Sequence, residues 1–578
     1  MATRRDVQAR AEKSLVDQTN VLAVPKLIAV FCALSLGLLT SLLDQNGVST
    51  ALPAIAADLN AQDTISWAGT SSLIANTTFQ MLYGRLSDIF GRKGVFLTAI
   101  FLLVIADIAC SRAHSAAVFY VFRGVAGVAT GGVTNVAMII VSDVVTLEQR
   151  GTYQGILGAM VGVANAVGPF IAAACVERLS WRAFFYILAP LAAAVCVSSF
   201  FLVPAAPMAP GTTTKQRLVA GVKNIDVLGT LTSSAAVIFL LIPISGGGAY
   251  YSWNSPMVIS MLVLGGVCLA LFVVAELRVA RLPMMPLSLF HNRAIVVMLV
   301  QNFLFGAVYQ SSLYYVPLYL QNAHQYSAVV SAAVTAGLVA MQTLFSILSG
   351  LYISWRKRYI EVLWLGFTVW TLGAGLTLLY NRHTSPGILI VPLLLSGIGI
   401  GCIFQPTLVA LQAHAPKPLR AVIISNRNFF RSAGGACGLA ISAAVLQAVL
   451  RSHLPTEYKY LASQTYSLPE DLPALDSEAI LDAYMAGSHA AFILQVPLIA
   501  LCLFGTFFIK DSGLRPPEET IPKDEDPAAT AFVLIVDGQE LGVEHEMQRS
   551  SGKDKANGTE KETFSGEESG ETAVKSPS

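Results

Sequence analysis

Gly84–Gly94 reads GRLSDIFGRKG. Arg85, Asp88, Arg92 and Lys93 crowd into these eleven residues. The flanks are apolar: IANTTFQMLY comes before the stretch and VFLTAIFLLVIADIAC after it. A helix needs about 20 mostly apolar residues to cross a hydrocarbon layer. The windows 65–83 and 94–112 have that length. The charge is therefore expected in a short hinge between two membrane spans, on one face of the bilayer.

Composition agrees with a membrane chain. Of 578 residues, 54% are hydrophobic and only 13% are charged. Mean hydropathy is +0.61. A soluble domain carries about a quarter charged residues, so water is a poor solvent for most of this surface. The formal net charge of +1 points to no nucleic-acid partner. The eight cysteines lie in apolar runs without a C-x-x-C pair, and the eight histidines are scattered. No metal set is expected, and the cysteines read as small buried hydrophobes. No G-x-x-x-x-G-K-[ST] loop occurs, so no nucleotide site is expected. Transport would then draw on an ion gradient, without a cofactor.

Apolar windows recur near 27–50, 65–83, 94–112, 117–142, 152–175 and 183–203, then 226–245, 255–276, 296–320, 328–353, 359–380, 388–412, 421–450 and 489–509. They predict fourteen crossings and an all-α integral membrane protein. The first apolar run exceeds the 7–15-residue core of a secretory signal, so it is expected to remain as span 1. Lys and Arg accumulate in cytoplasmic loops. With the N-terminus inside, alternate connections are basic: Arg85, Arg92 and Lys93, then Lys215, Arg217 and Lys223, then Arg356, Lys357 and Arg358. Both ends are therefore expected in the cytoplasm. Residues 451–488 read as an external loop. Residues 510–578 are acidic and poor in apolar residues, which predicts a disordered tail.

Positive-inside bias supplies Arg92 and Lys93, but not the order of Gly84, Asp88 and Gly91 before them. Glycines permit tight turns and close helix approach. Asp88 is placed to pair with an arginine or to accept backbone N–H groups. Such a cluster suits a lock that opens and closes in alternating access. GRLSDIFGRKG resembles the loop 2–3 signature of the major facilitator superfamily. LDQNGVSTALPAI, from Leu43, resembles the span 1 motif of its fourteen-span drug:proton antiporters, with Asp44 in register. RGVAGVATGG, from Arg123, is similar to the span 4 motif. GILGAMVGVANAVGPFIAA, from Gly155, is similar to the span 5 antiporter motif through Gly155, Gly168 and Pro169. WRAFFYILAP resembles the start of span 6, while GIGIGCIFQPTLVALQAHAP and RNFFRSAGGACGLA look like fungal members of that family.

The resemblance covers about residues 27–510. It implies a cytoplasmic segment 1–26, a six-helix bundle 27–204, a linker 205–225, two inserted helices 226–276, and a second bundle 277–509. An internal repeat points the same way without the family. SGLYISWRKRY, 349–359, puts Gly350 and then Arg356–Arg358 at the corresponding place in the second half.

Several residues are candidates for transport. Asp44 in span 1 is placed to exchange a proton for substrate, since a carboxylate inside a span is costly and usually functional. Arg123 is placed to pair with it. Asp107 in span 3 is assigned an outer-edge or packing role. Gly84, Asp88, Gly91, Arg92 and Lys93 form the cytoplasmic gate motif. Gly155, Gly168 and Pro169 mark the antiporter helix, where small residues let helices cross closely. Asn135, Gln301, Asn302, Tyr309, Gln310, Tyr314 and Gln405 are polar or aromatic inside spans, and are expected to line a cavity.

The reading favoured is a secondary transporter, not an enzyme: a monomeric, proton-coupled exporter of drugs, toxins or metabolites in the plasma membrane. Its expected substrate is small, amphipathic or cationic. Uptake or vacuolar transport of basic amino acids or siderophores remains open. So does a sensor that keeps the fold without transporting.

Overall fold

The structure, a computed structural model, describes residues 22–62, 64–205, 225–247, 251–381, 384–455, 457–458, 474–511 and 513–514, with Gln8, Gln18 and Asn20. The tail, most of the linker and most of the external loop fall outside the described residues.

The helices run in order: α1 (Val24–Asp58), α2 (Ser66–Phe90), α3 (Arg92–Ser111), α4 (Ala116–Val144), α5 (Arg150–Arg178), α6 (Trp181–Leu202), α7 (Val227–Gly246) and α8 (Pro256–Arg278). Then come α9 (Arg293–Asn322), α10 (Ala328–Arg356), α11 (Ile360–Leu376), α12 (Pro386–Phe404), α13 (Pro406–His414), α14 (Arg420–His453) and α15 (Ala474–Gly505). No strand occurs among the described residues. Local chemistry sets many starts. Ser115, Ser180, Ser255, Ser327 and Asn292 each accept a backbone N–H from the first turn of the helix that follows. Between α12 and α13, Pro406 has no N–H to continue the ladder.

Thirteen of the spans are long and apolar enough to cross a membrane, with α12 and α13 counted as one. Helix α2 is as long but more polar, because it holds Asn76, Thr77, Thr78, Gln80, Arg85 and Asp88. Apolar side chains face outward in quantity: Phe101, Ile105 and Ile108 on α3, Phe200 and Phe201 on α6, Val263, Val267 and Leu271 on α8. Exposed apolar surface on this scale would be insoluble in water and suits lipid. The polar groups sit inside, as a hydrocarbon solvent requires.

The hinge is not a loop. Residues 84–90 continue α2, and the chain breaks only at Gly91, whose φ is 95°. That positive φ favours glycine. The side chain of Gln18 serves both helix ends there. Its Nε2 donates to the carbonyls of Ser87 and Asp88, and its Oε1 accepts from the Arg92 N–H. Unmet terminal groups of two helices are thus satisfied by one residue.

Helices α1–α6 and α9–α15 (α12 and α13 forming one span) make two sets of six spans, with α7 lying against α2 and α14 and α8 against α7. The two sets meet along α5·α10 and α2·α14. Both seams are closed by small residues. A Cβ on Gly84 would strike Ser425 of α14, and one on Gly350 would strike the Gly151 carbonyl of α5. The internal repeat therefore puts Gly84 and Gly350 in equivalent seams. Lys357 takes the left-handed position in the second copy, with φ 58°.

Gly155→Leu should force this seam apart, since even a Cβ there comes within 2.5 Å of the Ser346 carbonyl. Overpacking of this kind costs about 1–3 kcal/mol. The expected result is a lower unfolding temperature of the purified protein, with faster labelling of a cysteine placed at the hinge end of α10. Unchanged values for both would show that the seam tolerates bulk.

Candidate functional site

The half of the first helix set away from the hinge holds a buried charge group. Asp44 on α1 and Arg123 on α4 are shut off from solvent. Arg123 Nη1 donates to Asp44 Oδ1 at 2.7 Å and Oδ2 at 2.9 Å. Neither residue reaches water, so Arg123 does not snorkel and Asp44 is not an outer-edge acid. Asp107 on α3 does not sit at an exposed edge. It is 0% exposed and lies beside Asp44 and Arg123. Neither of its carboxyl oxygens meets a hydrogen-bond donor among the described residues. A second buried carboxyl group thus lies beside the Asp44–Arg123 pair without bonding the guanidinium. Gly168 of α5 lets that helix close on α1 near Leu43 and Gly47, with Pro169 following inside the helix.

A separate polar ladder starts on α1 at Asn46 and crosses to the second helix set. Asn46 Nδ2 donates to Asn165 Oδ1 at 2.6 Å, and Asn165 Nδ2 donates to the Tyr309 hydroxyl at 2.8 Å. The Tyr309 hydroxyl and the Gln342 amide lie 3.1–3.2 Å apart. A second crossing runs closer to the hinge end. Asn135 Nδ2 donates to the Gln80 carbonyl and to Ser425 Oγ, and Asn428 Nδ2 donates to Asn135 Oδ1. Ser432 Oγ donates to Gln80 Oε1.

The gate motif itself is held within the first helix set. Asp88 takes Arg92 Nη1 at 2.6 Å, and Arg92 Nε donates to Asp143 Oδ2 at 2.8 Å. Lys93 lies over the Phe200 ring. Contact with the rest of the molecule comes from Gly84 against α14 and from Arg85 Nε, which donates to the Pro283 carbonyl at 2.6 Å. The second copy does span the seam by charge: Lys357 Nζ meets Glu148 Oε1 at 2.5 Å.

Of the expected cavity residues, Asn135, Tyr309 and Gln405 lie between the helix sets. Gln301 does not. Its Nε2 donates to the Cys502 carbonyl and Thr506 Oγ1, so it packs α9 on α15. Asn302 is also diverted, donating to Met298 O within its own helix. Tyr314 stacks edge-on against Tyr315. Gln310 is exposed beside Gly435 of α14. The sequence reading missed Asn46, Asn165, Gln342, Arg427 and Arg431. Two arginines four apart within the apolar stretch 421–450 were the available signal. Arg427 is fully buried, while Arg431 is partly buried; both guanidinium groups lie 5.1 Å from the Phe404 ring centre.

The sequence matches the Major Facilitator Superfamily over residues 34–439. It is 46% identical to Citrate exporter 1 of Yarrowia lipolytica (strain CLIB 122 / E 150), over 92% of this chain and 80% of that protein. It is 38% identical to MFS-type transporter clz4 of Cochliobolus lunatus, over 93% and 94% of the two chains. Efflux pump dotC of Dothistroma septosporum (strain NZE10 / CBS 128990) is 31% identical over 74% of this chain and 73% of its own. The fold is shared with the human organic anion transporter MFSD10 (TETRAN), at a TM-score of 0.56 and 15% identity, covering 84% and 99% of the two chains. The proton:xylose symporter XylE matches with the same TM-score at 14% identity, covering 86% and 98%. The chain belongs to the major facilitator superfamily. It is an integral membrane transporter and not an enzyme, and its relatives include exporters and efflux pumps.

Removing one member of a buried ion pair costs about 3–5 kcal/mol when the other charge is left alone. Asp107 stands ready to replace Asp44 as the partner of Arg123. Asp44→Asn and Asp107→Asn should therefore each destabilise less than that. The double variant should lose more than the sum of the two, by the coupling expected of groups in contact. Chemical unfolding of the four proteins in detergent measures it, and strict additivity would rule out a shared guanidinium.

Proposed function

We propose that this chain exports a small organic anion across the plasma membrane in exchange for protons. The observation that carries the reading is the buried Asp44–Arg123 pair with Asp107 beside it, in the same helix set as Asn165, which bonds Tyr309 across the interface. A buried carboxyl group that gains and loses its guanidinium partner can take up and release a proton, while the interface alternately opens to each side. The energy source is the proton gradient, and no cofactor is required.

The hinge end is the closed end in this structure. Gly84 meets Ser425, Arg85 meets Pro283, Gly151 meets Gly350 and Lys357 meets Glu148 there. We assign this end to the cytoplasm, on the strength of its basic residues, so the path is closed on the cytoplasmic side. Both chain ends are then cytoplasmic, α2 crosses as well, and the total is fourteen crossings. The transporter works as a monomer, with one substrate path between its two bundles, the two inserted helices lying outside that path.

An acid in span 1 suggested a cationic substrate. The interface favours the opposite sign, because Asp44 is already matched by Arg123, while Arg427 and Arg431 sit between the helix sets. The kinship with a citrate exporter supports an organic acid, and citrate is the first to test.

Sealed vesicles holding the purified protein provide the test. An imposed proton gradient should drive labelled citrate across the membrane, and Asp44→Asn should abolish the gradient-driven component. Movement that ignores the gradient would remove proton coupling. Movement of lipophilic cations or basic amino acids, with none of organic acids, would remove the substrate class.

A further inference from the structure

We propose that Arg427 and Arg431 form the seat of a polycarboxylate anion, with Phe404 as its floor and Gln405 as an added donor. This rests on the organic-anion reading above and names the residues that would hold the substrate.

Several interior arginines are paired with acids. Arg123 has Asp44, and Arg92 has Asp88 and Asp143. Arg427 and Arg431 have no carboxylate partner among the described residues. The charged neighbour that Arg427 feels is Arg431, and the ionisable neighbour of Arg431 is Tyr309. Arg427 spends its Nη atoms on neutral acceptors, Asn428 Oδ1 and the Phe404 carbonyl. Those bonds orient the guanidinium but do not cancel its charge. Two like charges left together in a low-dielectric interior call for an anion from outside the chain.

Buried polar groups without partners occur on these same residues. Arg427 Nε and Arg431 Nε are buried without acceptors. Gln405 is 1% exposed, and both its amide oxygen and its amide nitrogen lack partners. It follows Phe404 directly in the chain. The break before Pro406 frees this corner: Leu408 N–H bonds Gln405 O, so it does not take the Phe404 carbonyl, which then accepts from Arg427. The two guanidinium groups flank one ring, so their centres are at most about 10 Å apart. A molecule with two or three carboxylates can engage both at once, whereas a single carboxylate satisfies one. Planar guanidinium groups suit carboxylate oxygens in paired hydrogen bonds.

The position is right for a transported ligand. Asn428 joins Arg427 to Asn135 of the first helix set. The Tyr309 ring packs on Phe404 with centres 6.2 Å apart, and its hydroxyl bonds Asn165. An anion between the arginines would therefore touch groups tied to both helix sets, among them the Tyr309–Asn165 bond. Aromatic faces and few polar groups also describe a small-molecule site in general.

The test uses the full chain in lipid nanodiscs, with equilibrium binding of labelled citrate, succinate, inorganic phosphate and tetraphenylphosphonium. Wild type should bind citrate most tightly. Arg431→Gln should weaken citrate and succinate at least tenfold each, because one carboxylate of either molecule loses its partner. Arg431→Lys should restore part of the affinity, since it keeps charge without the fork. Arg427→Gln should weaken citrate similarly. If its burial prevents folding, judged by size exclusion, the two Arg431 variants decide alone. Citrate affinity within twofold of wild type in a folded Arg431→Gln protein overturns the seat and leaves the exporter reading intact. Tighter binding of phosphate than of citrate overturns the polycarboxylate assignment. Binding of tetraphenylphosphonium without any of the anions overturns the organic-anion reading and the seat together.

Discussion

A charge inside a hydrocarbon layer has no water to turn to, and the interior of this protein is arranged around that fact. Asp44 is matched by Arg123, Asp88 by Arg92, and Asp143 by Arg92 again. Backbone ends are matched too, as Gln18 does for α2 and α3. Apolar residues then cover the outside, the reverse of a soluble fold. Groups that remain unmatched in such a setting carry information, because leaving them so costs stability.

Motion and adhesion are handled by different chemistry. Glycines and serines at Gly84, Gly151, Gly155, Ser346 and Gly350 bring the two helix sets together through backbone contact. Few strong polar bonds cross at those points, so the seam can part without breaking an ion pair deep in lipid. The exposed Lys357–Glu148 pair sits at the rim, where water lowers the cost of separation. The buried ion pairs of the gate motif stay within one helix set and keep that set rigid.

Much of the fold was legible in the sequence. The length of the apolar windows fixed the spans, and the order of Gly84, Asp88, Gly91, Arg92 and Lys93 marked the gate. The candidate site was legible in part. Asp44 and Arg123 could be named because charge in a span stands out. Gln301 and Asn302 looked equally suitable for a cavity, yet one packs against α15 and the other against its own backbone. A polar residue in an apolar run shows that it must be satisfied, but not by which neighbour.

The sequence by itself determined what each segment is: which stretches are helical, which face lipid, and where a chain break is forced, as at Pro406. These follow from local chemistry and from the solvent around each helix. The tertiary structure decided which groups meet. It placed Asp107, expected at an outer edge or in packing, beside Asp44, carried Asn165 across to Tyr309, and left Arg427 and Arg431 without an acid among the described residues. Helix rotation and the partner across each seam set those pairings, and both depend on contacts between residues far apart in the chain.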